Sequence, residues 1–201
     1  MKNVFISYYH DDAQSYKDDI VAANNKYCIF NDVSVDTGDI DDSKLTDEQI
    51  RIIIRDNYIK DADVFILLCG KNSKHRKHID WEIHAAMYKS NIKNPIPILV
   101  INLPDCRNGC RKTNDREKAI IEKGQRLNWF TLNSYAEYKQ SYPDLPERLL
   151  KSLANKQSPI AIVNYEKLTV GELSDLIEMS FQRKYEYDDS DPLRRKNGED
   201  E

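Results

Sequence analysis

The sequence predicts an α/β fold built on a doubly wound parallel sheet. The first observation is a continuous apolar run from Val64 to Cys69 that ends at Gly70. A run of this length without polar alternation is typical of a strand buried on both faces, as parallel sheets require. A second fully apolar run covers 96–101. Helical patterns lie between such runs, and this alternation predicts a parallel sheet with helices on both faces.

The first hundred residues supply most of these elements. Asp11 and Asp12 provide N-cap chemistry for the first helix, and Thr46 with Gln49 forms a capping box for another. The pattern first predicts a strand at 4–6, a helix from 11 to about 25, a strand at 27–30 and a loop at 31–43. It then predicts a helix with Ile50, Ile53, Ile54 and Tyr58 on one face, the central strand at 64–69, a helix from about Asp80 to Ser90 and a strand at 96–101.

Beyond Pro104 the pattern is looser and indicates an α/β extension of the same domain. The predicted elements are a helix at 115–124, a strand at 129–132, a helix at 145–155, a strand at 159–163 and a helix from the capping box Thr169–Glu172 to about Arg183. Residues 184–201 have little to bury and carry mixed charge. We therefore expect one domain over residues 1–183, followed by a disordered tail.

Composition limits the classes of function. The chain has 201 residues, enough for one domain with a real core. Charged residues make up 32%, the net charge is -4 and the mean hydropathy is -0.72, values typical of a soluble protein. The acidic balance argues against nucleic acid as a general partner. No apolar run approaches the roughly 20 residues that span a bilayer, and no apolar signal segment begins the chain. We therefore expect a cytoplasmic protein.

The four cysteines do not predict a metal site. Cys28 and Cys69 lie in apolar runs and are expected to be small buried hydrophobic residues. Cys106 and Cys110 frame the loop CRNGC, but no second Cys or His pair has the spacing that zinc would need. In a reducing compartment two free thiols are more common than a disulfide. We expect no bound metal.

The first candidate for chemistry is Glu82. A polar, basic loop follows Gly70 and leads into Asp80-Trp81-Glu82, where a helical pattern begins. Ligands of open α/β sheets bind at the C-terminal edge of the strands, which is where this loop must lie. Two plainer interpretations stay open. Glutamate is common in first helical turns, and a tryptophan such as Trp81 is often largely buried.

Four segments together resemble a TIR domain. They are VFISYYHDD at 4–12, NDVS at 31–34, VFILLCG at 64–70 and IDWEIHAAM at 79–87. The resemblance is to the TIR-like branch found in bacterial anti-phage defence, typified by the Thoeris system. It covers roughly residues 2–102 and implies the TIR version of the flavodoxin-like doubly wound parallel sheet.

This resemblance implies an activity. Members of the branch bind NAD and cleave the bond between nicotinamide and ribose. By resemblance, Glu82 is the catalytic glutamate, and Ser7, Tyr8, Tyr9 and His10 in the loop after the first strand lie beside the substrate. The resemblance also implies a cyclic or conjugated ADP-ribose signal that activates a separate effector, and self-association of protomers. NAD is then a substrate, and no cofactor is expected.

The chemistry of this reaction suits a single carboxylate. The nicotinamide of NAD is cationic and leaves as a neutral molecule, so no general acid is needed. The transition state resembles a ribosyl oxocarbenium ion, as in other glycosidic cleavages. One carboxylate near the ribose can offset that positive charge. In the first turn of a helix, Glu82 is expected to be kept ionised by the amide dipoles.

Aromatic residues are candidates for substrate contact. Tyr8 and Tyr9 suit stacking on a flat heterocycle, although strand alternation turns one of them toward the core. Trp81 is a third candidate beside Glu82. For the basic stretch at 75–78, a solvated turn is favoured over contact with the pyrophosphate, because charge runs are usually solvated.

The loop at 31–43 supplies polar candidates. It contains Asp32 and Ser34 among several acidic residues. Its acidity argues against direct phosphate contact. A partner for a ribose hydroxyl, or a lid over the site, fits this composition better.

Two alternative functions stay open. A non-enzymatic TIR module would bind partners through its helices, and release of free nicotinamide from NAD distinguishes an enzyme from such a module. A receiver domain or a flavodoxin is disfavoured. A receiver needs an Asp at the end of its third strand, where this chain has Cys69-Gly70, and a flavodoxin needs a Ser/Thr-rich loop where this chain has YYHDD.

Overall fold

Five parallel strands form the centre of the molecule. A computed structural model describes residues 1–34, 45–46, 49, 52–88, 94–121, 132–156, 158–183 and 187. The strands are β1 (Lys2–Tyr8), β2 (Phe30–Asp32), β3 (Val64–Cys69), β4 (Ile98–Asn102) and β5 (Ala161–Asn164). They pair in parallel in the order β2-β1-β3-β4-β5. This order places β3 at the middle of the sheet, and every residue of β3 is buried.

Helices connect the strands. Those described are α1 (His10–Tyr27), α2 (Lys77–Met87), α3 (Asp115–Ile121), α4 (Tyr135–Ser141), α5 (Glu147–Lys156) and α6 (Val170–Phe181). A π-helical turn at Ile54–Tyr58 and a 3-10 turn at Ile59–Asp61 precede β3. In the part of the chain that the structure describes, no helix combines the length and apolarity needed to cross a membrane.

The sheet separates two hydrophobic clusters. Phe5 and Leu67 belong to the cluster that contains the buried residues of α2, α4 and α5, and we call this side of the sheet the α2 face. Ile6 and Leu68 belong to the cluster formed with α1, α3 and α6, and we call that side the α1 face. Helices on both faces confirm the predicted α/β doubly wound architecture.

Both edges of the sheet are blunted. At one edge, β2 has only three residues, and Asn31 and Asp32 are exposed. At the other edge, β5 forms an antiparallel bridge with Arg111. The backbone N–H of Arg111 donates to the carbonyl of Ile162 and the N–H of Ile162 donates to the carbonyl of Arg111, each at 2.8 Å. These features limit the backbone groups that either edge leaves unpaired.

The predicted strand at 27–30 is wrong in its first half. The helix α1 continues through Tyr27, and Cys28 adopts a left-handed conformation with φ 51 at its C-terminus. The buried Asn24 side chain then accepts hydrogen bonds from the backbone N–H groups of Ile29 (3.0 Å) and Phe30 (2.9 Å). This residue therefore ends the helix and begins β2, and Cys28 is exposed rather than buried as expected.

The helix α2 begins earlier than predicted, at Lys77 rather than about Asp80. Its N-cap residue, Arg76, makes no side-chain capping bond, so no Ser, Thr, Asp or Asn marks the start. The helix ends at Met87, and the predicted end at Ser90 lies outside the described residues. With this start, Glu82 lies in the second turn of the helix and not in the first.

The C-terminal half matches the predicted pattern in part. The capping box of Thr169 and Glu172 opens α6 as predicted. The helix α4 was not predicted, although Ser134 and Glu137 form a capping box at its start. The predicted strand at 129–132 falls on residues outside the described part of the chain, apart from Leu132.

One residue of the predicted tail is buried in the core. Tyr187 is 7% exposed. Its hydroxyl donates to the carbonyl of Ile96 and accepts from the N–H of Ile98, each at 3.1 Å. At this position the expectation of a tail with little to bury is wrong. The other residues of 184–201 lie outside the described part of the chain.

Candidate functional site

The C-terminal edge of the sheet brings Ser7 and Glu82 together. Ser7 is 1% exposed near the end of β1, and its register partner in β3 is Leu67. The Ser7 hydroxyl donates a hydrogen bond of 2.6 Å to Oε2 of Glu82 on α2. Strand alternation explains the contact, because Ser7 follows Phe5 on the α2 face. A buried hydroxyl among apolar side chains needs such a partner.

Glu82 occupies an environment that disfavours its charge. The residue is half-buried, and burial of its carboxyl group raises its pKa from 4.5 to about 7. The hydrogen bond from Ser7 lowers the pKa but does not cancel the effect of burial. The expectation that helix dipoles keep Glu82 ionised is therefore wrong, because the second turn lies beyond the reach of the helix N-terminus. Near neutral pH both protonation states are populated.

A close contact between Gly70 and Asp12 shapes the loop that leads to α2. A Cβ atom on Gly70 would lie 2.7 Å from Oδ2 of Asp12 and 2.9 Å from its Cβ. Asp12 accepts hydrogen bonds from the backbone N–H (3.0 Å) and the side-chain amide (2.8 Å) of Asn72. The first turn of α1 therefore holds the start of this loop, and only glycine fits at position 70 without a shift of Asp12.

Arg76 and Tyr9 form a second group at this edge. The Arg76 guanidinium lies over the Tyr9 ring, 3.6 Å from the centroid. Tyr9 packs against the cluster on the α2 face, which is the face of Ser7. Among the described residues, Nε of Arg76 is buried and has no hydrogen-bond partner. Arg76 is the N-cap residue of α2 and stands six positions before Glu82 in the sequence.

Tyr8 and His10 do not join this group. Tyr8 packs against the cluster on the α1 face, and its hydroxyl donates to Oε1 of Gln14 at 2.9 Å. His10 is exposed at the first position of α1. Alternation along β1 turns Ser7 and Tyr8 to opposite faces, so Tyr8 does not share the face of Glu82, and its predicted contact with the substrate stays a prediction.

Asp32 and Ser34 support the strand that carries Ser7. The Ser34 hydroxyl oxygen accepts a hydrogen bond of 2.8 Å from the backbone N–H of Ile6. The backbone N–H of Ser34 donates to Oδ1 of Asp32 at 2.9 Å. Both side chains therefore complete backbone pairing at the edge of the sheet, and their predicted contact with a ribose stays a prediction.

Trp81 is a core residue. It is 1% exposed and belongs to the cluster on the α2 face. The ring of His78 lies edge-on to it, with 5.1 Å between the centroids. This burial leaves no ring face for a substrate, so the structure favours packing over the predicted substrate contact.

Asp80 has a buried partner that the sequence does not indicate. Nε of Arg148 donates to Oδ1 of Asp80, and Nη2 of Arg148 donates to Oδ2, each at 2.9 Å. The pair joins α5 to α2, two residues before Glu82. The only signal in the sequence was an aspartate beside Trp81, and nothing local indicates a partner so distant in the chain. In the sequence, Arg76 is one member of the basic stretch at 75–78, for which a solvated turn is the favoured interpretation.

A cavity elsewhere on the surface lies apart from this site. A cavity of about 240 Å³ opens on the α1 face, with Ile20, Ile101 and Leu173 among its lining residues, and neither Ser7 nor Glu82 lines it. Within the described ranges, no three His, Cys, Asp or Glu side chains are grouped as metal ligands.

The family comparison covers the whole of this site. The profile described as "Thoeris protein ThsB, TIR-like domain" matches residues 5–108. This range includes Ser7, Tyr9, Arg76 and Glu82 and spans more than half of the chain. No curated protein matches the chain. On the strength of the profile match and of the five-stranded parallel sheet, this chain belongs to the Thoeris ThsB family of TIR-like domains.

Proposed function

We propose that this Thoeris TIR-like protein consumes NAD and cleaves the bond between nicotinamide and ribose, with Glu82 as the catalytic carboxylate. The observation that carries the proposal is the contact between the half-buried Glu82 and the buried Ser7 at the C-terminal edge of the sheet. Ligands of open α/β sheets bind at this edge. A titratable group with a strongly shifted pKa at such a place is a functional candidate.

The reaction requires a carboxylate and no acid. The pyridinium of NAD leaves as neutral nicotinamide, and positive charge develops on the ribose as the bond breaks. An ionised Glu82 stabilises this charge. Because the carboxyl group lies out of bulk water, the attraction is stronger than it would be at the surface.

The raised pKa of Glu82 supports a role that depends on substrate. In the free protein the carboxyl group is partly protonated near neutral pH, since its pKa is about 7. A bound pyridinium brings positive charge close to it, and a nearby opposite charge favours the ionised form. NAD binding therefore lowers the pKa of Glu82 and releases a proton when the carboxyl group was protonated.

Ser7 is a positioning residue in this proposal. Its hydroxyl donates to Oε2 of Glu82, which fixes the rotation of the carboxylate and leaves Oε1 for the substrate. The bond also lowers the pKa of Glu82 and so increases the fraction of active carboxylate. Ser7 itself need not touch the ribose.

Arg76 is the proposed contact for the diphosphate of NAD. Its guanidinium is held on the Tyr9 ring, and within the described residues its Nε lacks a partner. Arginine binds phosphate through its planar set of N–H donors. In this arrangement Tyr9 supports Arg76 and does not stack on the nicotinamide or the adenine.

The product and the partners follow from the family and not from the site. We propose a cyclic or conjugated ADP-ribose signal that a separate effector recognises, together with self-association of protomers. Exclusion of water from the pocket lets a ribose hydroxyl or another acceptor capture the oxocarbenium centre before hydrolysis. NAD is the substrate, and the scheme uses no cofactor or metal.

The test is incubation of the full-length protein with NAD, followed by mass spectrometry of the products. Glu82→Gln should lower nicotinamide release by at least about 10²–10³-fold, because it removes the charge that stabilises the transition state. Glu166→Gln is the matched control, since Glu166 is exposed at the α1-face cavity. A folded Glu82→Gln protein with wild-type turnover would rule out Glu82. Phage protection without any NAD turnover would support a scaffold instead.

A further inference from the structure

Two cysteines from separate segments face each other at the C-terminal edge of the sheet. The Sγ atoms of Cys69 and Cys106 are 3.9 Å apart, although the residues are 37 positions apart in the chain. Cys69 is the fully buried last residue of β3, and Cys106 lies half-buried in the turn after β4. Both are free thiols.

The structure holds this pair in place on both sides. The backbone N–H of Leu103 donates to the carbonyl of Cys69 at 2.9 Å, and the N–H of Cys106 donates to the carbonyl of Leu103 at 3.0 Å. The side-chain amide of Asn108 donates to Sγ of Cys69 at 3.5 Å. The turn that carries Cys106 is therefore tied to the end of β3, and the approach of the sulfurs is a property of the fold.

A buried aspartate fixes the same turn from outside. Asp144 accepts from the backbone N–H and from Nε of Arg107, each at 2.9 Å. The backbone N–H of Asp144 donates to Oδ1 of Asn108 at 2.8 Å. These bonds anchor the two residues that directly follow Cys106, which helps to keep its side chain next to Cys69.

The two thiols differ in acidity and in access. The hydrogen bond with Cys69 lowers the pKa of Cys106, and burial opposes this effect. The pKa of Cys69 is raised well above its usual range by its bond to Cys106 and by burial. The more accessible thiol is therefore the more acidic one. Redox-sensitive cysteines commonly combine these properties with a neighbouring thiol that resolves the oxidised form.

We propose that Cys69 and Cys106 are a redox-active pair that a peroxide converts into an intramolecular disulfide. The thiolate of Cys106 attacks one oxygen of hydrogen peroxide, which forms a sulfenic acid and releases hydroxide. The Cys69 thiol then attacks the sulfenic sulfur, the S–S bond forms and water leaves. In total, two thiols and one peroxide give one disulfide and two waters.

Bond formation needs a small rearrangement. A disulfide has an S–S distance of about 2.05 Å, so the sulfurs must approach by about 1.8 Å. Cys69 is fixed within the central strand, whereas Cys106 lies in a turn, and rotation of the Cys106 side chain supplies most of the change. Bond formation also removes the S–H of Cys69, which donates to the carbonyl of Asp144 at 3.5 Å.

The pair lies on the face that carries the candidate site. Cys69 and Leu67 are in the same cluster on the α2 face, and Leu67 is the register partner of Ser7. Cys69 also directly precedes Gly70, where the loop to α2 begins. Oxidation would therefore lock the turn after β4 to the strand end from which that loop departs.

Peptide mapping of the full-length protein tests this proposal without any activity measurement. The protein is treated with a small excess of hydrogen peroxide, alkylated and digested with trypsin. Trypsin cleaves after Lys60, Lys71, Lys93 and Arg107, so peptides 61–71 and 94–107 contain Cys69 and Cys106 without Cys110. A cross-linked 61–71 and 94–107 species that a reductant removes is the expected result.

Single variants identify the roles of the two thiols. Cys106→Ser should abolish the cross-link and leave Cys69 unmodified, because the buried thiol is the less acidic one. Cys69→Ser should leave a sulfenic acid on Cys106 that a dimedone-type reagent traps. Cys110→Ser is the matched control, since burial raises the pKa of Cys110 to about 11, and it should form the cross-link like wild type. Absence of the cross-link in the folded wild type, or a disulfide from Cys106 to Cys110 or Cys28 in its place, would overturn the proposal.

Discussion

Arg148 and Asp80 form a buried two-point ion pair that joins α5 to α2. Both residues are buried, at 3% and 6% exposure. The pair fixes the position of α2 one half-turn before Glu82, on an element whose start has no side-chain cap. The orientation of Glu82 thus depends in part on Arg148, a residue of a separate helix far along the chain.

Removal of one partner from this pair should be strongly destabilising. Asp80→Asn removes the negative charge that pairs with Arg148 in the interior, and breaking a buried ion pair in this way typically costs about 3–5 kcal/mol. Chemical denaturation measures the loss. Asp115→Asn is the control, because the pair of Asp115 and Lys112 is exposed and such pairs contribute under about 1 kcal/mol. Equal losses in the two variants would contradict a special role for the buried pair.

The pH profile of NAD cleavage should report Glu82. If the carboxylate is the active form, kcat/KM rises with pH up to about 7 and is level above it, since this parameter reflects groups of the free enzyme. Ser7→Ala removes a bond that lowers the pKa of Glu82, so the rise should move to higher pH. Ser15→Ala, at an exposed serine of α1, should leave the profile unchanged. If the profile of Ser7→Ala is not shifted, the Ser7 hydroxyl does not influence the pKa of Glu82.

Glu82 should also make the fold less stable as pH rises. Its folded pKa of about 7 exceeds 4.5, so between these values the folded state holds the proton more tightly than the unfolded state. Stability therefore falls from pH 4.5 to 7, by up to about 3 kcal/mol. Glu82→Gln removes this effect, because it cannot ionise and its carbonyl can still accept from Ser7. The variant should melt at a higher temperature than wild type at pH 8, and the gap should shrink toward pH 5. A gap that is the same at both values would contradict the raised pKa.

The phenol of Tyr187 should contribute to global stability. The Tyr187 hydroxyl lies 3.1 Å from both the N–H of Ile98 and the carbonyl of Ile96. Tyr187→Phe removes this hydroxyl, so both groups lose the hydrogen bond. Unsatisfied buried groups cost about 1–3 kcal/mol each. Truncation after Arg183 should lower the melting temperature further, because it also removes the buried ring. Tyr27→Phe, at a residue 56% exposed, is the control. If neither Tyr187→Phe nor the truncation changes the melting temperature, Tyr187 does not contribute to the stability of the fold.

Purified protein alone should release little nicotinamide. A defence enzyme that consumed NAD constitutively would harm its host, so we expect activity to depend on a trigger and on pairing of protomers. Release should increase more than in proportion to protein concentration, or respond to lysate from phage-infected cells. Strict proportionality, no response to lysate and plain ADP-ribose as product would indicate a constitutive NAD hydrolase.

Local patterns predicted the parts of the fold that local chemistry determines. The run 64–69 is apolar because it is buried on both faces, and the capping box at Thr169 satisfies amides only three residues away. The same kind of pattern located Glu82 on a helix after the central strand. Its first contact, Ser7, was predicted only within a group of four neighbours, because alternation does not say which face of the strand meets α2.

Most of the remaining features depend on distant contacts, and one depends on a contact within six residues. The end of α1 is set by the Asn24 side chain, which bonds to amides five and six residues later. The Asp80 partner is 68 positions away and the Tyr187 partners are about 90 positions away. The protonation of Glu82 depends on burial that only the assembled fold provides. Neither the distant partners nor this burial has a signature in a short window of sequence.

The blunted edges of the sheet restrict how two copies of this protein can associate. An open strand edge is the usual template for intermolecular β-pairing. Here one outer strand offers three residues, and the other is bridged by Arg111. A continuous sheet across a dimer is therefore disfavoured, and we expect any association of two copies to use helices or loops. Assembly of that kind buries side chains and not backbone, so point substitutions on helix surfaces can separate protomers while each one stays folded.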